Sequence, residues 1–107
     1  MIRLGVDVLL SSKKLISELA GRRVALLGHP ASMTGDFRHS MDALMAVAEI
    51  NLTAAFGPQH GMRGEMQDNM QETDDYIDPV YNIPVFSLYG RVRRPDKKMM
   101  ESFDVIL

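Results

Sequence analysis

Arg23-Val24-Ala25-Leu26-Leu27-Gly28-His29-Pro30 is the stretch that decides the fold. Its apolar run, Val24 to Leu27, is too short for a helix and ends at a glycine, the pattern of a strand buried on both faces of a parallel sheet. Before it, Ser12 to Ala20 sets Leu15, Ile16 and Leu19 on one face at helical spacing, with Ser12 as N-cap and Gly21 just beyond the C-cap. After it, from Phe37 onward, Met41, Leu44, Met45 and Ala48 keep an i, i+3, i+4 rhythm that predicts a helix of roughly three turns. Asn51 to Phe56 supplies the next strand, which completes a βαβ unit, expected to be right-handed. The alternation resumes with a strand from Pro84 to Tyr89, a helix from Pro95 to Phe103 with proline at N1, and a strand from Asp104 to Leu107. The expected class is therefore α/β: a Rossmann-like, mostly parallel sheet flanked by helices. Because the last apolar run stops without a turn, residues 1–107 are expected to be the N-terminal part of such a domain, an incomplete fragment lacking the remainder.

Composition narrows the function classes. A chain of 107 residues with 46% hydrophobic and 24% charged residues is ordinary for a folded globular protein. A formal charge of −2 gives no clustered positive excess of the kind nucleic acid demands, so no nucleic-acid partner is expected. The absence of cysteine excludes disulfides, thiolate nucleophiles and zinc-thiolate sites. Met1 to Leu10 lacks the basic start, apolar run and small-residue cleavage site of a signal peptide, and no segment approaches membrane-spanning length. The chain as it stands reads as cytoplasmic, with export left open and no membrane partner expected. The nine methionines sit mainly at helical positions, where they fill gaps in a core.

In an open parallel sheet, ligands bind beyond the carboxyl ends of the strands. Those ends are marked here by Gly28-His29-Pro30, Gly57-Pro58-Gln59-His60-Gly61 and Tyr89-Gly90-Arg91, which should share one rim. Gly57, Pro58 and Gly61 suit a turn that presents Gln59 and His60, although Gly-Pro and His-Gly are also ordinary turn formers. The stretch between the strands ending at Phe56 and starting at Pro84 is too long for a mere connection. It is rich in carboxylates and amides, including Glu65, Asp68, Asn69, Glu72, Asp75 and Asp78, which suit sugar hydroxyls where they are not simply solvated. No His-x-x-x-His or calcium-loop spacing occurs, so no metal site is expected.

Arg91 to Lys98 is strongly basic and follows a strand end, opposite the acidic loop. A solvated helix start is the plain account; an arginine clamping a substrate carboxylate in bidentate fashion is the sharper one. A phosphorylated ligand is a further alternative for this segment, but Gly28 to Gly35 fits neither the dinucleotide fingerprint nor the P-loop, and no cofactor is expected.

Four stretches carry a family resemblance: Gly5-Val6-Asp7-Val8-Leu9, Gly21 to Pro30, Phe56-Gly57-Pro58-Gln59-His60-Gly61-Met62-Arg63-Gly64, and Pro84-Val85-Phe86-Ser87-Leu88-Tyr89-Gly90. Together they resemble a bacterial family, once classed as a domain of unknown function, of exo-β-N-acetylmuramidases that remove terminal N-acetylmuramic acid from peptidoglycan fragments. The resemblance implies a Rossmann-like N-terminal domain, a smaller C-terminal one, and a carbohydrate partner. It also exposes a departure. Where the family commonly shows Pro-Glu-His-Gly, with the glutamate a candidate acid, this chain has Gln59, whose amide cannot donate that proton. Glycosidases generally need two carboxyl groups, or one plus the substrate's acetamido group. Either Glu65 or Asp68 takes over, or the acid lies in further sequence, or this branch handles a different ligand.

The resulting expectation is a peptidoglycan-sugar glycosidase-like chain, inactive in isolation, with Gln59, His60 and Glu65 at the reacting centre. Arg63, Arg91 and Arg93 are candidates to bind the lactyl carboxylate, while His29, Asp68 and Tyr89 line the sugar. The alternative is a non-catalytic cell-wall-sugar binding protein of the same fold. Exposed apolar sheet would favour a homo-oligomer.

Overall fold

The apolar run at Val24 forms strand β1 (Arg23–Leu27) in the computed structural model, which describes residues 2–57, 75–88 and 94–107. Around it lie helices α1 (Gly5–Leu10), α2 (Lys13–Leu19), α3 (Ser40–Met45) and α4 (Lys97–Met100), and strands β2 (Asn51–Gly57), β3 (Tyr76–Ile77), β4 (Pro84–Ser87) and β5 (Val105–Ile106). The strands form one sheet in the order β3-β4-β2-β1-β5. All pairings are parallel except β3 with β4, so the expected α/β, mostly parallel architecture is what the chain adopts.

Alternation along the strands sorts the core onto two faces. Val24 and Leu26 join Leu19, Met41, Leu44, Ile50, Leu52 and Val85 on the side carrying α2 and α3. Ala25, Ala54, Phe56, Phe86 and Met99 pack on the other side, with Phe103 against them. Phe56 stacks at a tilt on Phe86, centroids 5.3 Å apart, and meets Phe103 edge-on at 5.7 Å. A bulge keeps both faces in register: Val24 pairs with Leu52 but Ala25 with Ala54, leaving Thr53 as the extra residue. The Thr53 hydroxyl uses that position to donate to the Ser102 carbonyl at 2.9 Å.

At the amino edge of the sheet, Arg23 and Asp104 bind each other through both backbone and side chain. The Arg23 N–H donates to Asp104 Oδ2 at 2.8 Å, the Asp104 N–H to the Arg23 carbonyl at 2.7 Å, and Arg23 Nη2 to Asp104 Oδ1 at 2.9 Å. The hydrogen bond from the Arg23 side chain, then that from its backbone N–H, hold the Asp104 carboxyl below its ordinary range.

The structure corrects several expected boundaries. Ser12 caps α2 by accepting from Leu15 N–H, and Gly21 takes φ 79, both as expected. The helix predicted from Phe37 instead begins at Ser40, because residues 33–39 fold into a tight hairpin closed by a Met33–His39 bridge. Phe37 lies at its tip with φ 65. Pro95 is not at N1: Asp96 is the N-cap of α4, its carboxylate accepting from Met99 N–H at 2.9 Å, and the helix ends at Met100 rather than Phe103. The strand expected to reach Tyr89 stops at Ser87, and α1 and the short antiparallel β3 were not expected.

Candidate functional site

Parallel pairing sends the ends of β1, β2 and β4 to the same edge of the sheet. Leu27 lies opposite Phe56, and Gly57 opposite Ser87. Just beyond them the Gly28 N–H donates to the Phe56 carbonyl at 2.9 Å and the Leu88 N–H to the Gly57 carbonyl at 3.1 Å. Three chain segments therefore leave the sheet side by side, which is where an open α/β sheet gathers a ligand.

The first of these segments is fully described. After Gly28 the chain turns at His29, whose N–H donates to Ser32 Oγ at 3.0 Å while its carbonyl accepts from Ser32 N–H at 2.9 Å. The Ala31 N–H points at His29 Nδ1 at 3.1 Å. A backbone donor there requires a lone pair on Nδ1, so neutral His29 carries its proton on Nε2. His29 is exposed, and among the described residues no group bonds its Nε2–H. Such a group can donate to a sugar oxygen, an amide carbonyl or a carboxylate.

Behind it stands His39, which is 8% exposed and is the N-cap of α3. Its Nδ1 accepts from Met41 N–H at 3.1 Å, and its Nε2 lies 2.9 Å from the His29 carbonyl. The hairpin between the two histidines is anchored elsewhere as well. Thr34 N–H donates to the Arg38 carbonyl at 2.7 Å, and the Thr34 hydroxyl bonds the Asp36 carboxylate. That bond, foremost, lowers the Asp36 pKa. Gly35 N–H donates to Asp7 Oδ1 at 2.9 Å, and Asp7 Oδ2 accepts from Leu4 N–H at 3.1 Å, so one carboxylate ties the hairpin to the start of α1. Glycine suits position 35, since a Cβ there would stand 3.0 Å from Asp7 Oδ2.

The described acidic residues of the long loop accept from backbone N–H groups. Asp78 is fully buried and accepts from Val80 and Tyr81 N–H at 3.1 and 2.9 Å, forming the turn that carries β3 into β4. Asp75 Oδ1 accepts from Ser87 N–H at 2.6 Å beside the carboxyl edge. The Tyr81 hydroxyl donates to Asp42 Oδ1 at 2.6 Å and pins the same turn to α3.

Of the candidate residues read from the sequence, His29 stands at this edge. Gln59, His60, Arg63, Glu65, Asp68, Tyr89, Arg91 and Arg93 lie outside the described residues. Reading the sequence missed His39 and Asp7. His39 immediately precedes the Met41 and Leu44 periodicity, and that cap-like place was the signal for it; for Asp7, a carboxylate within the Gly5 to Leu9 stretch, no local signal exists. On the helical face a separate hollow of about 440 Å³ is lined by Leu9, Leu15, Leu19, Leu26 and Leu44, with Ser40 and Glu18 among its few polar neighbours. Its aliphatic lining does not suit a sugar. Among the described residues no group of three His, Asp or Glu side chains could hold a metal ion, and no helix is long and apolar enough to cross a membrane.

Residues 24–107 match the model of the exo-β-N-acetylmuramidase NamZ family, N-terminal part. The chain belongs to this NamZ family. It is 37% identical over 106 residues to the peptidoglycan β-N-acetylmuramidase NamZ of Bacillus subtilis strain 168, which covers 99% of this chain and 25% of that protein. Its fold is similar to crystal structures of two DUF1343 family proteins from Bacteroides fragilis NCTC 9343. One superposes with a TM-score of 0.77 at 32% identity, the other with 0.69 at 26%, each covering 97% of this chain and 24% of the other. The chain thus spans about a quarter of the length of these NamZ and DUF1343 relatives.

Proposed function

We propose that this chain supplies one side of the cleft of a peptidoglycan glycosidase that acts from the chain end on terminal N-acetylmuramic acid. Membership of the NamZ family supports the glycosidase class. The observation that carries the finer assignment is the convergence of the His29 turn, Gly57 and Leu88 at one sheet edge. The segments that bear Gln59, His60, Glu65 and Tyr89 depart from that edge.

In this reading His29 offers its Nε2–H to an acceptor oxygen of the sugar. Gln59 and His60 orient the ring near the scissile bond, with Asp68 and Tyr89 at its hydroxyls. Arg63, Arg91 or Arg93 pairs with the lactyl carboxylate that distinguishes muramic acid from glucosamine. Cleavage of a glycosidic bond needs a proton delivered to the leaving oxygen by an acid whose pKa is raised, and stabilisation of the oxocarbenium-like carbon by a carboxylate or by the substrate's acetamido group. Glu65 is the local candidate for the acid, since the Gln59 amide has no such proton.

The test is an assay of the whole protein on a chromogenic N-acetylmuramide. Turnover is expected, and Glu65→Gln should abolish it while leaving binding of N-acetylmuramic acid intact. No turnover by the parent, with none created by Gln59→Glu, would remove the hydrolase assignment. Gln59 itself favours a second reading, a cell-wall-sugar binding protein of the same fold, for which binding without hydrolysis would be decisive.

A further inference from the structure

His39 does more than an N-cap requires. Capping needs only one short acceptor, and serine, threonine, aspartate or asparagine provide it most economically. Here a buried imidazole occupies the position and spans two tasks. Its Nδ1 accepts from Met41 N–H, which fixes the lone pair there and leaves the proton of the neutral ring on Nε2. That Nε2–H then donates to the carbonyl of His29, ten residues back in the chain. The same carbonyl already accepts from Ser32 N–H, so both of its lone pairs are engaged and the orientation of the His29 peptide is fixed.

The two rings therefore repeat one device. In each, a backbone N–H two residues ahead occupies Nδ1 and forces the proton to Nε2. In His39 that proton is spent on protein, whereas in the exposed His29 no described residue accepts it. We propose that His39 is a positioning residue, which acts through the His29 carbonyl to hold the turn from which His29 donates its Nε2–H to the sugar. This rests on the reading of the carboxyl edge as the N-acetylmuramic acid site. It makes His29 a hydrogen-bond donor of fixed tautomer, with its Nδ1 unavailable for proton abstraction.

Two substitutions separate the tasks of His39. His39→Asn keeps an acceptor near the Nδ1 position but is too short to reach the His29 carbonyl. His39→Gln places an amide N–H near the Nε2 position and loses the cap. Binding of N-acetylmuramic acid to the whole protein is measured by titration calorimetry, alongside Tm and the imidazole ¹⁵N spectrum of His29. His39→Asn should keep the parent's Tm, weaken binding about tenfold, as expected for one misplaced hydrogen bond, and broaden or shift the Nε2–H pattern of His29. His39→Gln should lower Tm yet bind like the parent. Parent-like binding by His39→Asn, or equal weakening by both variants, would overturn the proposal. His29→Ala distinguishes the levels: if it binds like the parent, the sugar-site reading of this edge fails; if it binds weakly while His39→Asn does not, the His39 inference alone fails.

Discussion

The two edges of the sheet are built on different principles. At the amino edge, Arg23 and Asp104 exchange backbone and side-chain hydrogen bonds with each other, and Arg23 Nη1 adds a bond to the Glu101 carbonyl at 2.8 Å, so the polar groups are turned onto protein. At the carboxyl edge, backbone donors and the buried His39 hold the His29 turn and leave its Nε2–H without an acceptor among the described residues. One edge closes β1 against β5; the other is rigid in its frame and open in its chemistry. A site preorganised by the groups behind it loses little entropy when a ligand arrives, which is the physical advantage of the second arrangement.

The comparison breaks first at His29. Loss of a hydrogen bond to a charged or strongly polar oxygen is worth about 1.5–3 kcal/mol, so His29→Ala should weaken N-acetylmuramic acid binding roughly 10- to 100-fold with little change in Tm. A large fall in Tm with unchanged affinity would make the carboxyl edge as structural as the amino edge. Next comes Asp7, which accepts from Leu4 and Gly35 N–H and carries the hairpin on α1. Asp7→Ala should cost about 1–2 kcal/mol by urea denaturation, with a smaller loss of affinity, because the hairpin is also held by its own Thr34 and His39 bonds.

How much of this was legible follows from the distance over which each interaction acts. Strand β1 was legible because Val24 to Leu27 is contiguous and closed by glycine, and α2 because Ser12 and Gly21 are local signals. The overlong helix at Phe37 arose because Met41 and Leu44 are truly periodic, while the hairpin that stops the helix depends on bonds from Thr34 that no periodicity encodes. Strand β3 is two residues long and exists through its pairing with Val85 and Pro84, a nonlocal cause. The edge itself followed from strand polarity, which puts His29 just beyond the carboxyl end of β1. The cap that His39 places on Met41 was local, but its bond to His29 and that of Asp7 to Gly35 escaped, because they span 10 and 28 residues and leave no mark in a local pattern.

At the amino edge the sharpest test is pH. The Asp104 carboxyl has a folded pKa below its unfolded value, held there by hydrogen bonds from Arg23. Its contribution to stability is present above the unfolded carboxylate pKa and is lost as pH falls through the folded one. Asp104→Asn should flatten that part of the acid limb in a Tm-against-pH series and leave sugar affinity unchanged. An altered affinity would show that the two edges are coupled through β1.

The smallest effect is expected at the hairpin tip. Phe37 is 87% exposed and has a positive φ, a conformation that costs a bulky side chain about 1–2 kcal/mol, with no burial to offset it. Phe37→Gly removes that strain but adds conformational entropy to the unfolded chain, worth about 0.5–1 kcal/mol. The two terms nearly cancel, so Tm should rise slightly or stay level. Affinity is then the informative quantity: if it also stays level, the open chemistry of the carboxyl edge ends at His29. If it falls, the strain at Phe37 is retained because an aromatic face at the tip contacts the ligand, and the edge extends along the whole hairpin.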